Sequence, residues 1–172
     1  MFSIFHCRID SNLVDSDTPL TFLDTVDFDY YEDEFGDGCE NTKEAQLVAQ
    51  IVSEFLECGI HVKDIGVITP YNKHKKNIQR QLVNKEVKVG TVYGFQGKEK
   101  DIIVMSFCRS KSGTFGPYLT RFIEKPTQVN VAITRAKKKF IMIGNSRTLK
   151  QSELLGNVIE MMEKNELKLI NS

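Results

Sequence analysis

Several things are scarce in this 172-residue chain, and each scarcity excludes something. Net charge is absent: 23 basic residues meet 23 acidic ones, so no whole-molecule field draws the chain to nucleic acid or to a membrane surface. The four cysteines, Cys7, Cys39, Cys58 and Cys108, are widely spaced and form no CxxC pair. Zinc ligation and a disulfide framework are therefore not expected, and the cysteines read as reduced, buried thiols. The three histidines, His6, His61 and His74, are scattered and read as ordinary surface residues. No stretch approaches the roughly 20 apolar residues of a membrane span, and the apolar start is too short for a secretory signal. The expectation is a soluble intracellular domain with one core and no membrane partner.

What is present is an alternation of helical and strand patterns. "PLTFLDT" (19–25) reads as a strand, and the acidic stretch "VDFDYYEDEFGDGCE" after it as a solvated loop or insertion. "NTKEAQLVAQIVSEFLECG" is the clearest helix, with Asn41 as cap, Glu44 in capping-box position and Leu47, Val48, Ile51, Val52, Phe55 and Leu56 on one core-facing stripe. Then come strand "DIGVITP", basic helix "YNKHKKNIQRQLVN", strands "VKVGTV" and "DIIVMSF", helix "PTQVNVAITRAKK", strand "KFIMIGN" and helix "SELLGNVIEMMEKN". Continuous apolar strands between helices predict an α/β fold whose mainly parallel sheet is covered on both faces.

Polar groups of unusual character cluster at the strand–loop junctions, where carboxyl ends of parallel strands are expected to gather function. None of these clusters holds a nucleophile–base pair or a metal-ligand set. In "GTVYGFQGKEKD", Gly97 lets backbone approach a ligand, Gln96 both donates and accepts, Lys98 can meet a phosphate, and Glu99 can accept from a hydroxyl such as a ribose. A charged loop with local ion pairs explains the same composition. In "NVAITRAKKK", Asn130 and Thr134 share a helix face, and Arg135 follows small, apolar residues. An arginine so held suits a forked contact to a transferring phosphate. Lys138 and Lys139 read as a solvated charge run.

Taken in order and at this spacing, "VITPY", "VGTVYGFQGKEKDIIVMSFCRS" and "VNVAITRAK" resemble motifs IV, V and VI of superfamily 1 helicases, in the branch of senataxin and the nonsense-mediated-decay helicase. The resemblance covers roughly residues 19 to 164. It implies that residues 19–172 form the second, C-terminal RecA-like motor domain, a three-layer α/β unit, and that residues 1–18 are a remnant of an upstream motor region. It implies ATP with Mg2+ as cofactor, the metal being held by a first RecA-like domain, and single-stranded RNA or DNA as track.

By position, the resemblance gives Gln96, Gly97, Lys98 and Glu99 to the nucleotide, and makes Arg135 the γ-phosphate arginine. It gives Thr69, Pro70, Tyr71, Thr91, Val92 and Thr134 to the single strand. The chain departs from the pattern at Thr127 and Gln128, where paired arginines are usual, and at His74, where a glutamine is usual. It also contains no GxxxxGK[ST] phosphate loop, no acidic magnesium motif and no QYR-type segment. It is therefore expected to be inactive alone, as a fragment of a longer motor. The alternative reading is a catalytically inactive nucleic-acid or protein-binding module derived from such a helicase.

Overall fold

The computed structural model describes residues 19–35, 38–110 and 126–164. Five strands, β1 (Leu20–Asp24), β4 (Ile65–Ile68), β5 (Lys88–Gly90), β6 (Lys100–Ser106) and β7 (Ala136–Gly144), form one sheet in the order β1-β7-β6-β4-β5. Every pairing in it is parallel, so all five strands present their carboxyl ends on the same edge. β2 (Asp33–Phe35) and β3 (Gly38–Glu40) make a separate antiparallel pair.

Helices α1 (Thr42–Glu57) and α2 (Asn72–Gln81) cover one face. There Val48, Ile51, Val52, Phe55 and Ile78 pack on Ile65, Val67, Val104 and Ile141. Helices α3 (Pro126–Ile133), α4 (Ser146–Leu149) and α5 (Glu153–Glu163) serve the other face. Val129, Ala132, Leu149, Leu155 and Ile159 pack there on Ile103, Met105, Phe140 and Met142. Adjacent residues of β6 and β7 thus feed opposite cores, which is why these strands read as unbroken apolar runs. This is the three-layer α/β architecture expected of a RecA-like domain.

Three expectations fail. The acidic stretch is not simply a loop: it holds the β2–β3 hairpin, and Glu32 just before it is buried rather than solvated. β7 begins at Ala136, three residues early, so Lys139 lies within the sheet opposite Ile102 and is buried instead of belonging to a solvated run. Asn41 does cap α1, accepting from the Glu44 N–H at 3.0 Å, but Glu44 does not reciprocate. The Asn41 N–H instead donates to His74 Nδ1 (3.3 Å), and Glu44 turns into the interior.

Candidate functional site

The opening of β6 and the opening of β7 are neighbours in register, Lys100 opposite Ala136. The Lys100 N–H donates to the Arg135 carbonyl (2.9 Å), and the Lys137 ammonium lies 3.5 Å from the Glu99 carboxylate. The loop 96–99 and Arg135 therefore converge. They do so at the amino edge of the sheet, not at the carboxyl edge where the junction argument had put them, because the chain leaves β5 at one edge and returns along the sheet before entering β6.

Phe95 anchors that return. It is fully buried on a single 3-10 turn (Tyr93–Phe95), and a Cβ on Gly66 of β4 would come within 2.7 Å of its ring. Beyond it the loop is tight, with the Lys98 N–H donating to the Phe95 carbonyl (2.9 Å). Gly97 takes φ +72°, and space at its Cβ position is open, so glycine is required here by backbone conformation. Gln96, Gly97, Lys98 and Glu99 are all exposed. Lys98 also stands beside Lys88. The proximity of its ammonium, then partial burial and Lys100, holds the Lys88 ammonium below the usual lysine range. Two cations held together in this way favour an anion between or above them.

Arg135 follows α3. Its Nε donates to the Val131 carbonyl (3.2 Å) and its Nη2 to Thr134 Oγ1 (3.4 Å), while Nη1 makes no hydrogen bond among the described residues. The side chain thus caps the end of its own helix and keeps one edge of the guanidinium fork open.

Thr69, Pro70, Tyr71, Thr91 and Val92 lie at the opposite, carboxyl edge, where the Thr69 N–H donates to the Gly90 carbonyl (3.1 Å). Thr134 does not join them; it is exposed beside Arg135. Thr69, Tyr71 and Val92 are buried, and only Pro70 and Thr91 are partly open. Arg109 stacks over the Tyr71 ring (5.7 Å) and forms an ion pair with Glu32 at 2.9 Å, both partners being buried. Burial pushes the Tyr71 phenol far above the ordinary range.

Beneath Tyr71 runs a buried polar chain that sequence reasoning missed. His74 is not a surface residue but wholly enclosed, and burial lowers its pKa to about 3. Because Nδ1 accepts from the Asn41 N–H, the neutral ring carries its proton on Nε2 and donates to Ser106 Oγ (2.6 Å). Ser106 in turn donates to Glu44 Oε1 (2.6 Å), which also accepts from the Cys108 N–H (2.9 Å). Burial raises the Glu44 pKa to about 7 despite these bonds, and Glu44 Oε2 has no hydrogen-bond partner among the described residues. Signals for this chain were present but faint. His74, Asn77 and Ile78 are one helical face, and Ser106 is a lone hydroxyl at the end of an apolar strand. Tyr93, exposed on the 3-10 turn beside Thr91, was also passed over.

The family described as "AAA domain" matches residues 4–147. Relatives include the DNA replication ATP-dependent helicase/nuclease JHS1 of Arabidopsis thaliana, 37% identical over 79% of this chain and 10% of its own length. The DNA polymerase alpha-associated DNA helicase A of Schizosaccharomyces pombe is 36% identical over 88% of the chain and 24% of its length. The regulator of nonsense transcripts 1 homolog of Neurospora crassa is 39% identical over 66% and 11%. The chain thus spans at most about a quarter of the length of these relatives.

Proposed function

Since the chain belongs to the AAA-domain family and is a RecA-like domain of a superfamily 1 helicase, we propose that its amino edge is one wall of an ATP pocket closed by a first RecA-like domain. The observation that carries this reading is the Lys100–Arg135 backbone bond, which ties the loop 96–99 to the arginine. On this reading Gln96 and Glu99 hold the base and ribose side of ATP, with Gly97 shaping the loop. Lys98 and the open Nη1 edge of Arg135 hold the terminal phosphates. ATP supplies the phosphoryl group, and Mg2+ is held by the first domain. Arg135 offsets charge developing on the γ-phosphate as the cleft closes, the role of an arginine finger.

The carboxyl edge would then carry a single strand of RNA or DNA. With Thr69, Tyr71 and Val92 buried, the strand would meet backbone N–H groups, Pro70 and Thr91, and Tyr93 would offer a ring for stacking. Thr134 would act by fixing Arg135 and not by touching the strand. Contacts of this kind are sequence-tolerant.

The test joins this domain to a first RecA-like domain and measures ATP turnover with and without single strands. Stimulated turnover is expected, and Arg135→Ala should lower it by about 10³-fold or more with little change in strand binding. Normal turnover in that variant removes Arg135 from the site. If the joined protein binds strands yet never turns over ATP, the inactive-module reading, favoured by Thr127 and Gln128 in place of arginines, takes its place.

A further inference from the structure

Near the carboxyl edge lies a pair of thiols that the motor reading does not use. Cys39 on β3 and Cys108 at the exit of β6 are both free and buried, and their Sγ atoms lie 2.7 Å apart. A disulfide brings such atoms to about 2.05 Å, so closure asks for little further movement. Cys108 has φ +56° and is the one non-glycine residue with positive φ among the described residues. That unfavourable backbone is held in place by its neighbours: the Cys108 N–H donates to Glu44 Oε1, and its carbonyl accepts from Asn41 Nδ2 (3.4 Å). Strained positions fixed in this way recur where a chain has chemistry to do.

We propose that Cys39 and Cys108 are a modification site that closes to a reversible disulfide, with hydrogen peroxide or a comparably small peroxide as oxidant. One thiolate attacks a peroxide oxygen; the S–O bond forms, the O–O bond breaks, and hydroxide leaves and becomes water. The second sulfur gives up its proton and attacks the sulfenic sulfur. The S–S bond forms, the S–O bond breaks, and a second water departs. Two thiols are oxidised and one peroxide is reduced to two waters. Burial, then contact with Cys39, pushes the Cys108 thiol well above its ordinary pKa, so the reaction is slow and needs a small oxidant rather than a bulky one. Glu44, whose Oε1 accepts from the Cys108 N–H at 2.9 Å, is the base at hand when ionised.

The bond would tie the hairpin, and with it Glu32, to the strand end that carries Arg109. It would therefore fasten the covering of Tyr71. It stands independently of the ATP pocket.

The experiment uses a Cys7→Ser, Cys58→Ser variant, in which only the proposed pair remains. After treatment with hydrogen peroxide, the protein is unfolded in guanidinium chloride, free thiols are trapped with N-ethylmaleimide, and intact mass and linked peptides are read. The expected product is lighter by two hydrogen atoms, takes up no maleimide, links the Cys39 and Cys108 peptides, and reverts with dithiothreitol. Its melting temperature should exceed that of the reduced form by roughly 10 °C, since the bond closes a long loop. Two maleimides on the peroxide-treated protein overturn the site, as does oxygen retained on sulfur without a link.

Discussion

The two edges of one sheet are built on opposite principles. At the amino edge, Gln96 to Glu99 are exposed, Arg135 has one fork edge without a partner among the described residues, and the ion pairs Glu99–Lys137 and Asp101–Lys138 reach solvent. At the carboxyl edge, Glu32, Arg109, Glu44, His74 and Ser106 are buried and bonded to one another or to backbone. Under the proposed function, an edge that receives a charged ligand and a second domain would keep its groups hydrated until the cleft closes. An edge that must hold its shape removes its polar groups from water and satisfies them internally. The same residue types thus have unequal energetic weight, because burial multiplies both attraction and the cost of a missing partner.

The contrast can be broken most forcefully at Glu32. Glu32→Ala leaves the Arg109 guanidinium buried beside Tyr71 without its carboxylate, and should destabilise the domain by about 3–5 kcal/mol in chemical denaturation. A loss below about 1 kcal/mol would mean that this pair behaves like the surface pairs of the opposite edge.

The next effect lies in pH. Glu44 has a folded pKa of about 7 against an ordinary 4.5, so its contribution is full below pH 4.5 and is lost as pH rises towards 7. His74 has a folded pKa of about 3 against 6.5, so its contribution is present above pH 6.5 and is lost as pH falls towards 3. Their slopes oppose each other between pH 4.5 and 6.5, where stability should be nearly flat. Glu44→Gln should turn that plateau into a rise with pH of about 2–3 kcal/mol, measured by urea titration at several pH values. An unchanged plateau in the variant would place the titrating proton elsewhere.

Smaller effects belong to the amino edge. Gln96→Ala should alter stability by less than about 0.5 kcal/mol while weakening nucleotide use in the joined motor, which separates a ligand-facing loop from a structural one. Smallest of all, Lys137→Ala should change the midpoint of unfolding by no more than about 0.5 kcal/mol, and less at high salt, because its pair with Glu99 is exposed on both sides.

The order of strands and helices was legible because apolar periodicity is a local signal. β4, β6 and α1 need only their own residues to declare themselves. The convergence of Gln96–Glu99 with Arg135 was legible through motif spacing, but its edge was not, since the return path depends on Phe95 packing against Gly66 from a different strand. The buried chain was least legible. A carboxylate three residues after a capping asparagine reads as a capping box, and only the arrival of Ser106 and His74 from distant positions gives Glu44 better partners. Glu32 was hidden for the same reason: an acidic stretch reads as solvated until one arginine, 77 residues later, removes one member from water.

The bond between Lys100 and Arg135 has a mechanical meaning. It fixes loop and arginine to the roots of β6 and β7, so neither can travel without the sheet, and under the proposed function a nucleotide bound there would act on the domain as a rigid body. β6 has seven residues and so spans about 23 Å from root to tip. If the pocket serves as pivot, a displacement of about 3.4 Å at the tip, one nucleotide of a stacked strand, requires a tilt of only about 8°. The sheet is then the lever arm, and its length sets the stride.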